Sequence, residues 1–331
     1  MSNLPIVDSF GRVHTSLRVG VTDRCNLRCV YCMPENVKFL PQRSVLTFEE
    51  IKRLVEILAA LGVDRIRITG GEPLVRAEIW KLVSMIRSID GIQEIALTTN
   101  GLLLADQAEN LKRSGLDRIN VSLDTIDPEV YQRITRRDQL DNVLTGISVA
   151  KSVGFENIRL NAVAVSGTTE SEIVPLAKFS REQDMHLRFI EFMPLDADEA
   201  WQDGQVLSGS RIREILEAEI ELLEPTNRPH PSQPAVDFRY ADGRGSVGFI
   251  NSVTQPFCGS CDRMRITAEG KMRNCLFSCE EWDIREAMRA GATNAELERV
   301  MRECISAKKS GHGTDDGQFV RPEKAMYQIG G

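Results

Sequence analysis

Long apolar runs are missing from this sequence. No stretch approaches the eighteen or more consecutive apolar residues that a membrane-spanning helix requires, and the opening MSNLPIVDSFGRVH lacks the charged start and apolar middle of a signal peptide. Low-complexity tracts and internal repeats of solenoid length are absent as well. We therefore expect a globular protein that stays in the cytoplasm.

An excess of positive charge is also missing. The 41 lysine and arginine residues are outnumbered by 48 aspartate and glutamate residues, which gives a net charge of -7. This balance argues against general binding to nucleic acid or membrane surfaces. The sequence has no G-x4-GK-[ST] loop that would cradle phosphates. Any anionic ligand must therefore be bound by a local group of basic side chains.

Composition and length are those of an ordinary folded protein. Hydrophobic residues make up 42% of the chain and charged residues 27%, which excludes disordered and fibrous classes. The 331 residues are about twice the usual domain length. One large α/β domain with an appendage and two separate domains are both compatible with this length.

Repeated strand and helix patterns predict a parallel sheet. Six short segments rich in β-formers alternate with helical patterns, the signature of βα units; they are SLRVGVT, DRIRITG, EIALTTN, DRINVSLD, NIRLNAVAV and HLRFIEF. The first helix is predicted at TFEEIKRLVEILAALG, where Thr47 and Glu50 form a capping box and Gly62 ends the apolar periodicity. The pattern indicates an α/β fold.

Polar side chains alternate with apolar ones along these strands. The apolar set includes Ile95, Leu97 and Val121, and the opposite face carries Thr98, Asn100, Asn120, Ser122, Asp124, Arg18, Arg67, Arg159 and Asn161. A closed eight-stranded barrel fills its interior with apolar side chains. Six strands with a polar lining instead predict an incomplete (β/α)6 TIM-like barrel that holds a polar ligand. The alternative is that these side chains lie at strand ends and reach solvent.

A proline-rich segment divides the chain. Four prolines fall within PTNRPHPSQP, which is unlike a helix or a central strand. We predict an N-terminal arm at residues 1–12, the partial barrel at 13–224, and a C-terminal region at 225–331. The last region is predicted to contain short strands, helices at EEWDIREAMRA and NAELERVMRECISAKK, and a Gly-Gly end.

Cysteine spacing identifies a first candidate metal site. In a cytosolic chain, eight cysteines are more readily metal ligands or catalytic groups than disulfides. Cys25, Cys29 and Cys32 have the spacing C-x3-C-x2-C, which offers no fourth ligand for a structural zinc ion. Three thiolates can hold a [4Fe-4S] cluster at three corners and leave one iron open. Zinc binding or a redox loop is the alternative on spacing alone.

A second group of three cysteines lies in the C-terminal region. Cys258, Cys261 and Cys275 have the spacing C-x2-C-x13-C, and the sequence between the last two predicts two short strands around a turn near Gly270. That hairpin would return Cys275 to its partners. Cys279 leaves a four-cysteine zinc ribbon open as the alternative.

These motifs resemble those of the radical S-adenosylmethionine enzymes. The resemblance rests on the first triad, on Tyr31 within it, and on GGEP at residues 70–73 after the next strand. With the second triad, CDRMRIT and the terminal IGG, the chain is similar over nearly its whole length to the radical enzymes that cyclise GTP in molybdenum cofactor biosynthesis.

The resemblance implies a radical reaction with two [4Fe-4S] clusters and S-adenosyl-L-methionine as cofactors. A 5′-deoxyadenosyl radical would remove the C3′ hydrogen of GTP, and C3′ would attack C8 of guanine. The implied partners are an electron donor and cyclic pyranopterin monophosphate synthase as the downstream enzyme, and a homodimer is possible. Another auxiliary-cluster radical enzyme, such as a peptide maturase, and a non-catalytic iron-sulfur redox sensor are the alternatives.

The resemblance also implies roles for individual residues and assigns none as a catalytic side chain. The implied cluster ligands are Cys25, Cys29, Cys32, Cys258, Cys261 and Cys275. The implied S-adenosylmethionine contacts are Tyr31, Gly71, Ser122 and Met193, and the implied GTP contacts are Arg18, Arg67, Thr98, Arg159, Arg263, Met264 and Arg265. Arg159 stands where the family often has lysine, which changes reach and donor geometry. The ends Gly330 and Gly331 are implied to enter the active site.

Overall fold

The computed structural model describes residues 4–198, 201–228, 230–313 and 319–330. Its strands are β1 Ser16–Gly20, β2 Arg65–Thr69, β3 Glu94–Thr99, β4 Arg118–Ser122, β5 Ile158–Ala164, β6 His186–Glu191, β7 Leu223–Pro225, β8 Val236–Tyr240, β9 Ser246–Ile250, β10 Arg263–Ile266, β11 Lys271–Arg273 and β12 Trp282–Asp283. Its helices are α1 Phe48–Ala60, α2 Ile79–Arg87, α3 Leu104–Arg113, α4 Pro128–Thr135, α5 Leu140–Ser152, α6 Ile173–Glu182, α7 Gly209–Glu219, α8 Ile284–Arg289, α9 Asn294–Ser306 and α10 Met326–Ile329.

All described strands form one sheet. Its order is β12-β11-β10-β1-β2-β3-β4-β5-β6-β9-β8-β7. Strands β1 to β6 are parallel to their neighbours, as predicted. Strand β10 adds in parallel to β1, and β9 adds in parallel to β6. The barrel is therefore incomplete, and its parallel part has eight strands rather than the predicted six.

The two C-terminal additions cover the edges of the six-stranded core. Strand β10 continues antiparallel into β11 and β12, and β9 continues antiparallel into β8 and β7. An exposed edge presents unpaired backbone groups, and each hairpin satisfies one such edge. The sequence pattern could not show this pairing, because β9 and β10 lie far along the chain from the strands that they join.

The helices and the apolar face of the sheet form the hydrophobic core. Ile66, Ile95, Leu97 and Val121 are almost completely buried there. Helix α1 begins as predicted, since the Thr47 hydroxyl accepts from the Glu50 amide at 3.1 Å and the Glu50 carboxylate accepts from the Thr47 amide at 2.8 Å. The polar face of the sheet is left to line the barrel interior.

The predicted boundary at residue 224 lies inside β7. Strand β7 pairs with β8 in the same sheet as the barrel, so the sheet continues across this position. The proline-rich segment is the loop between these two strands, and Pro229 lies outside the described residues.

In the N-terminal arm, whose first three residues also lie outside the described residues, Ile6 is fully buried and its amide donates to the Leu61 carbonyl. Among the residues that the structure describes, no helix has the length and apolar character of a membrane span.

Candidate active site

A cavity of about 300 Å³ lies at the carboxyl ends of the parallel strands. All six cysteines of the two triads line it. Cys304 is instead buried in the core on α9, and Cys279 is exposed and does not line the cavity. The structure thus brings the two sequence-distant triads to one space and leaves Cys279, the fourth ligand of the zinc alternative, outside it.

The first triad lies on the loop that follows β1. The amides of Cys32 and Met33 both donate to the Cys29 carbonyl at 3.0 Å, which forms a tight turn between the last two cysteines. The same loop is fastened to α4, because the Arg28 amide donates to the Thr135 carbonyl and the Val30 amide donates to the Ile134 carbonyl. The loop therefore has a fixed backbone on the rigid barrel.

Burial shapes the acidity of these thiols. It raises the pKa of Cys25 to about 11 and that of Cys32 to about 12, and it raises the pKa of Cys29 as well. Thiols in such surroundings ionise when a metal supplies compensating positive charge. The set suits iron ligation better than it suits a free reactive thiolate.

The GGEP segment is hydrogen-bonded to the cysteine loop. The Gly71 amide donates to the Thr22 carbonyl and the Glu72 amide donates to the Arg24 carbonyl, both at 2.7 Å. A Cβ atom at Gly71 would lie 2.5 Å from the Arg24 carbonyl oxygen, so only glycine permits this approach. Burial raises the pKa of Glu72 to about 7 while its carboxylate accepts from the amides of Leu74 and Asn100.

The implied S-adenosylmethionine contacts meet at the cavity wall. Tyr31, Gly71, Ser122 and Met193 all line it. The Tyr31 hydroxyl donates to one Asp124 carboxylate oxygen, and the other oxygen accepts from the Val163 amide at 2.8 Å.

Asp124 belongs to the predicted polar set but was not predicted as a site residue. Burial raises its pKa to about 6. The carboxyl ties the cysteine loop, through Tyr31, to the ends of β4 and β5. The signal for its place near the site is the polar alternation Asn120, Ser122 and Asp124, which continues past the end of β4.

The second triad is assembled by the predicted hairpin. A single turn spans Cys258–Ser260, and the Cys261 amide donates to the Cys258 carbonyl at 3.1 Å. Strands β10 and β11 pair antiparallel with Arg265 opposite Arg273, which returns the chain to Cys275 beside the first two cysteines.

Two cations lie at the Cys261 sulfur. Arg263 donates to it from Nε at 3.3 Å and from Nη2 at 3.2 Å, and the Lys308 ammonium lies 3.4 Å away. Burial alone would raise the pKa of this thiol, but the two cations lower it to about 6. Burial and the neighbouring Cys275 instead raise the pKa of Cys258 to about 11. Lys308, also bonded to the Arg263 carbonyl at 2.8 Å, was missed because it lies 47 residues from Cys261 in the chain.

The cysteines of the two triads are not arranged to bind a single metal ion. Among the described ranges, no three cysteine, histidine or carboxylate side chains form a group that could hold one metal ion. In a four-iron cluster each cysteine binds a different iron, so the three thiols need not converge on one point as they do around a single ion. Two half-buried thiol triads around one cavity fit that larger group.

Arginines concentrate positive charge at the base of the cavity. Arg18 is opposite Arg67 on β2 and opposite Arg265 on β10. Burial, and then the charges of neighbouring arginines, lowers the pKa of both Arg18 and Arg67. Neither side chain forms a hydrogen bond or an ion pair with another described residue, whereas Arg65 pairs with Asp262 at 2.5 Å. Half-buried cations with no partner among the described residues fit a multiply charged anion.

Two of the residues implied to contact GTP, Met264 and Arg159, do not line the cavity. Met264 is completely buried in the core, because alternation points its side chain away from the cavity that Arg263 and Arg265 line. Arg159 does not line the cavity, and burial together with Arg188 and Arg118 lowers its pKa to about 9. Thr98 does line the cavity, and its buried hydroxyl has no hydrogen-bond partner among the described residues.

The C-terminal segment closes one side of the cavity. The Met326 amide donates to the Leu195 carbonyl at 2.9 Å, and Met326 and Tyr327 on α10 line the cavity. Arg265 donates from Nη1 to the carbonyl oxygen of Gly330, whose φ is +84°. Gly331 lies outside the described residues.

Two family models match the chain. The model described as the Radical SAM superfamily matches residues 19–180, and the model described as Molybdenum Cofactor Synthesis C matches residues 185–314. The first covers the end of β1, the strands β2 to β5 and the first triad. The second contains β9, β10 and the second triad. The fold and the matched regions thus define a radical S-adenosylmethionine enzyme.

Curated relatives narrow the class. A protein of Rhodopirellula baltica is 50% identical over 99% of this chain and 92% of its own length, and one of Mycolicibacterium smegmatis is 46% identical with the same coverage. A third, from Streptomyces coelicolor, is 42% identical over 98% of this chain and 96% of its own length. Each is named GTP 3′,8-cyclase, and the chain belongs to this family.

Solved structures share the fold. The structure of Streptococcus suis SuiB bound to S-adenosylmethionine has a TM-score of 0.60 at 17% identity, covering 86% of this chain and 64% of that one. SuiB bound to its precursor peptide SuiA has a TM-score of 0.62 at 16% identity, covering 96% and 68% respectively. At these identities the likeness concerns the fold alone.

Proposed function

We propose that this chain is a lyase that converts GTP to (8S)-3′,8-cyclo-7,8-dihydroguanosine 5′-triphosphate, the first step of molybdenum cofactor biosynthesis. The observation that carries the proposal is one cavity that is lined by both cysteine triads and by Arg18 and Arg67, two cations with no partner among the described residues. The names of the curated relatives support the same reaction.

Each triad would hold one [4Fe-4S] cluster. Cys25, Cys29 and Cys32 would bind the first, and Cys258, Cys261 and Cys275 the second. When bound, the first cluster and S-adenosylmethionine supply the 5′-deoxyadenosyl radical that removes the C3′ hydrogen of GTP, after which C3′ bonds to C8. Everything else required of the protein is binding, orientation and exclusion of water.

The chain's own residues would divide these tasks. Tyr31, Gly71, Ser122 and Met193 would position S-adenosylmethionine beside the first triad, since all four lie on that wall. Arg18, Arg67 and Arg265 would bind the triphosphate, because they share neighbouring register positions on β2, β1 and β10. Thr98 would donate or accept through its unpartnered hydroxyl.

The other residues implied to contact GTP would have different roles. Arg263 would act at the end of the substrate nearest the second triad, because its guanidinium lies at the Cys261 sulfur. Met264 would contribute through its backbone, since its side chain is in the core. Arg159 would act only by its charge from below the cavity, because it does not line the cavity wall.

Helix α10 would exclude water during the radical steps. Tyr327 belongs to a group of buried apolar side chains against which Cys25 and Cys32 pack, and Met326 and Cys275 pack against a second such group. Closure of an active site limits side reactions of reactive intermediates. An electron donor, cyclic pyranopterin monophosphate synthase as the consumer of the product, and a cytoplasmic location complete the proposal.

Product analysis tests the reaction. The anaerobically reconstituted protein would be incubated with GTP, S-adenosylmethionine and dithionite, and we expect the cyclised triphosphate together with 5′-deoxyadenosine and methionine. Release of 5′-deoxyadenosine with GTP unchanged would instead favour the peptide-maturase alternative. Failure to cleave S-adenosylmethionine at all would favour the redox-sensor alternative, which the curated relatives do not support.

A further inference from the structure

A basic surface surrounds the loop that carries the first triad. Val30, between two of its cysteines, is 38% exposed, so the outer side of this loop is at the protein surface. The loop runs beside the end of α4 through its backbone bonds to Ile134 and Thr135. Six basic residues occupy these two adjoining segments and form what we call the basic patch: Arg24, Arg28, Lys38, Arg133, Arg136 and Arg137.

Contacts within the patch join its members. The Arg24 and Arg28 guanidinium carbons lie 5.6 and 5.3 Å from the centre of the same Phe39 ring, and Lys38 is the neighbouring residue. On the other side, Arg133 is three residues before Arg136, which places both at the end of α4 where the loop is fastened. The six cations therefore surround the exposed loop.

The charge of this patch is not neutralised within the described part of the chain. None of the six side chains forms an ion pair there, and Arg28 donates only to the backbone carbonyls of Cys25, Leu27 and Glu35. Residues 24–40 contain three basic residues and one acidic residue, and residues 133–138 contain three and one. In a protein of net charge -7, this local reversal of sign stands out.

An unneutralised basic surface fits an acidic partner, and the reaction requires one that delivers electrons. Each turnover uses one external electron to break the carbon-sulfur bond of S-adenosylmethionine into methionine and the 5′-deoxyadenosyl radical. One further electron and a proton complete the product. Neither GTP nor S-adenosylmethionine supplies these electrons, so a carrier must reach the protein surface near a cluster.

We propose that the basic patch is the docking surface for an acidic one-electron carrier protein, which reduces the first cluster through the exposed side of its loop. This inference rests on the proposed function only in requiring a cluster in the first triad. On docking, the carrier is oxidised by one electron and the cluster takes up that electron. Charge complementarity raises the rate of such encounters by about tenfold to a thousandfold, and salt weakens it.

The test compares two double variants of the holoenzyme. Arg133→Glu/Arg137→Glu reverses two patch charges outside the cysteine loop and outside the cavity. Arg211→Glu/Arg299→Glu is the matched control, because it makes the same change in net charge at two exposed positions on α7 and α9. The electron source is either a reduced plant-type [2Fe-2S] ferredoxin, as the acidic carrier, or dithionite, which needs no docking surface. The readout is 5′-deoxyadenosine formation, which reports reductive cleavage whatever the second substrate is.

We expect the patch variant to lose at least about tenfold in the ferredoxin-dependent rate at low salt and to keep its dithionite-dependent rate. The control variant should keep both rates, and rising salt should slow the unmodified protein toward the patch variant. An unchanged ferredoxin rate in the patch variant would overturn the proposal, as would an unmodified protein that ferredoxin cannot reduce. Equal loss with both reductants would assign the arginines to the site's support, and a changed oligomeric state with normal ferredoxin reduction would assign the patch to a second copy. Failure of cyclisation with normal 5′-deoxyadenosine release would count against the proposed function alone.

Discussion

Arg265 on β10 and Gly330 beyond α10 are joined by a hydrogen bond from Nη1 to the glycine carbonyl oxygen. Arg265 also lies opposite Arg18 in the sheet. A Cβ atom at Gly330 would lie 3.0 Å from the Thr69 side chain, and the residue has φ of +84°. The end of the chain therefore reaches the strand ends beside the proposed triphosphate site, at a position that favours glycine on both steric and backbone grounds.

Deletion of Gly330 and Gly331 should abolish cyclisation while both clusters remain assembled. The reason is that Arg265 loses the carbonyl to which it donates. The carboxyl ends of β1 and β2 also lose the chain end that packs on them. Product formation and iron content would be measured together. Glycines at a chain end are often merely frayed, and full activity of the truncated protein would return these two to that class.

Replacing single cysteines should show which of them hold iron. With two clusters we expect about eight irons per chain after anaerobic reconstitution. Cys275→Ala should remove about half of them, since this thiol lines the cavity. Cys279→Ala and Cys304→Ala should change nothing, because one residue is exposed outside the cavity and the other is in the core. Loss of the second cluster in Cys279→Ala would show that the ligand set is wrong.

Arginine replacements should weaken GTP binding. Arg67→Ala and Arg263→Ala should each cost about 1.5 to 3 kcal/mol of binding free energy, the scale of a hydrogen bond to a charged group. Calorimetry on the reconstituted variants measures it, and the clusters should be intact in both.

Arg113→Ala is the matched control, since this side chain is exposed on α3 and pairs only with Glu109. The same replacement at Arg265 should combine lost affinity with a displaced Gly330. If Arg67→Ala binds GTP as tightly as the control, the triphosphate lacks the partner proposed here, and the same result for Arg263→Ala would remove this residue from the end of the substrate near the second triad.

Stability should fall in mild acid because of a buried histidine. His14 lies fully buried, 3.1 Å from an Asp8 carboxylate oxygen, and burial lowers its pKa to about 4. The unfolded chain takes up this proton near pH 6.5, so the stability lost between pH 7 and pH 5 is on the order of 2 kcal/mol. Asp8, whose pKa is lowered to about 2 by its hydrogen bonds against the effect of burial, loses its contribution only below about pH 4.

His14→Gln provides the comparison for this effect. Thermal unfolding of the reconstituted protein and of this variant would be followed from pH 7 to pH 5. The unmodified protein should lose stability more steeply than the variant across that window. Parallel curves for the two proteins would place the acid sensitivity elsewhere.

Local patterns in the sequence were sufficient to predict much of the barrel and of its polar interior face. Alternation along β1 to β4 predicted that Arg18, Arg67, Thr98 and Ser122 share the interior face, because side-chain direction in a strand has a period of two. The same rule applied to β10 would have placed Met264 in the core, whereas the resemblance implied it as a contact. The capping box at Thr47 was equally local and was confirmed.

Long-range pairing could not be predicted in this way. That β9 and β10 extend the parallel sheet depends on which edges are open, and no local pattern encodes a partner far along the chain. Lys308 contacts Cys261 from 47 residues away in the chain, and Asp124 accepts a hydrogen bond from Tyr31 across 93 residues. Such contacts are fixed by the assembled fold rather than by the spacing of nearby residues.

Removal of the C3′ hydrogen of GTP is the first step of the proposed reaction on the substrate, and an isotope label can follow it. GTP carrying deuterium at C3′ would be incubated anaerobically with the reconstituted protein, S-adenosylmethionine and reductant, and the released 5′-deoxyadenosine would be examined by mass spectrometry. We expect the 5′-deoxyadenosine to contain the deuterium and the cyclised triphosphate to have lost it from C3′. Unlabelled 5′-deoxyadenosine, with deuterium retained in the nucleotide, would contradict the proposed reaction at its first step.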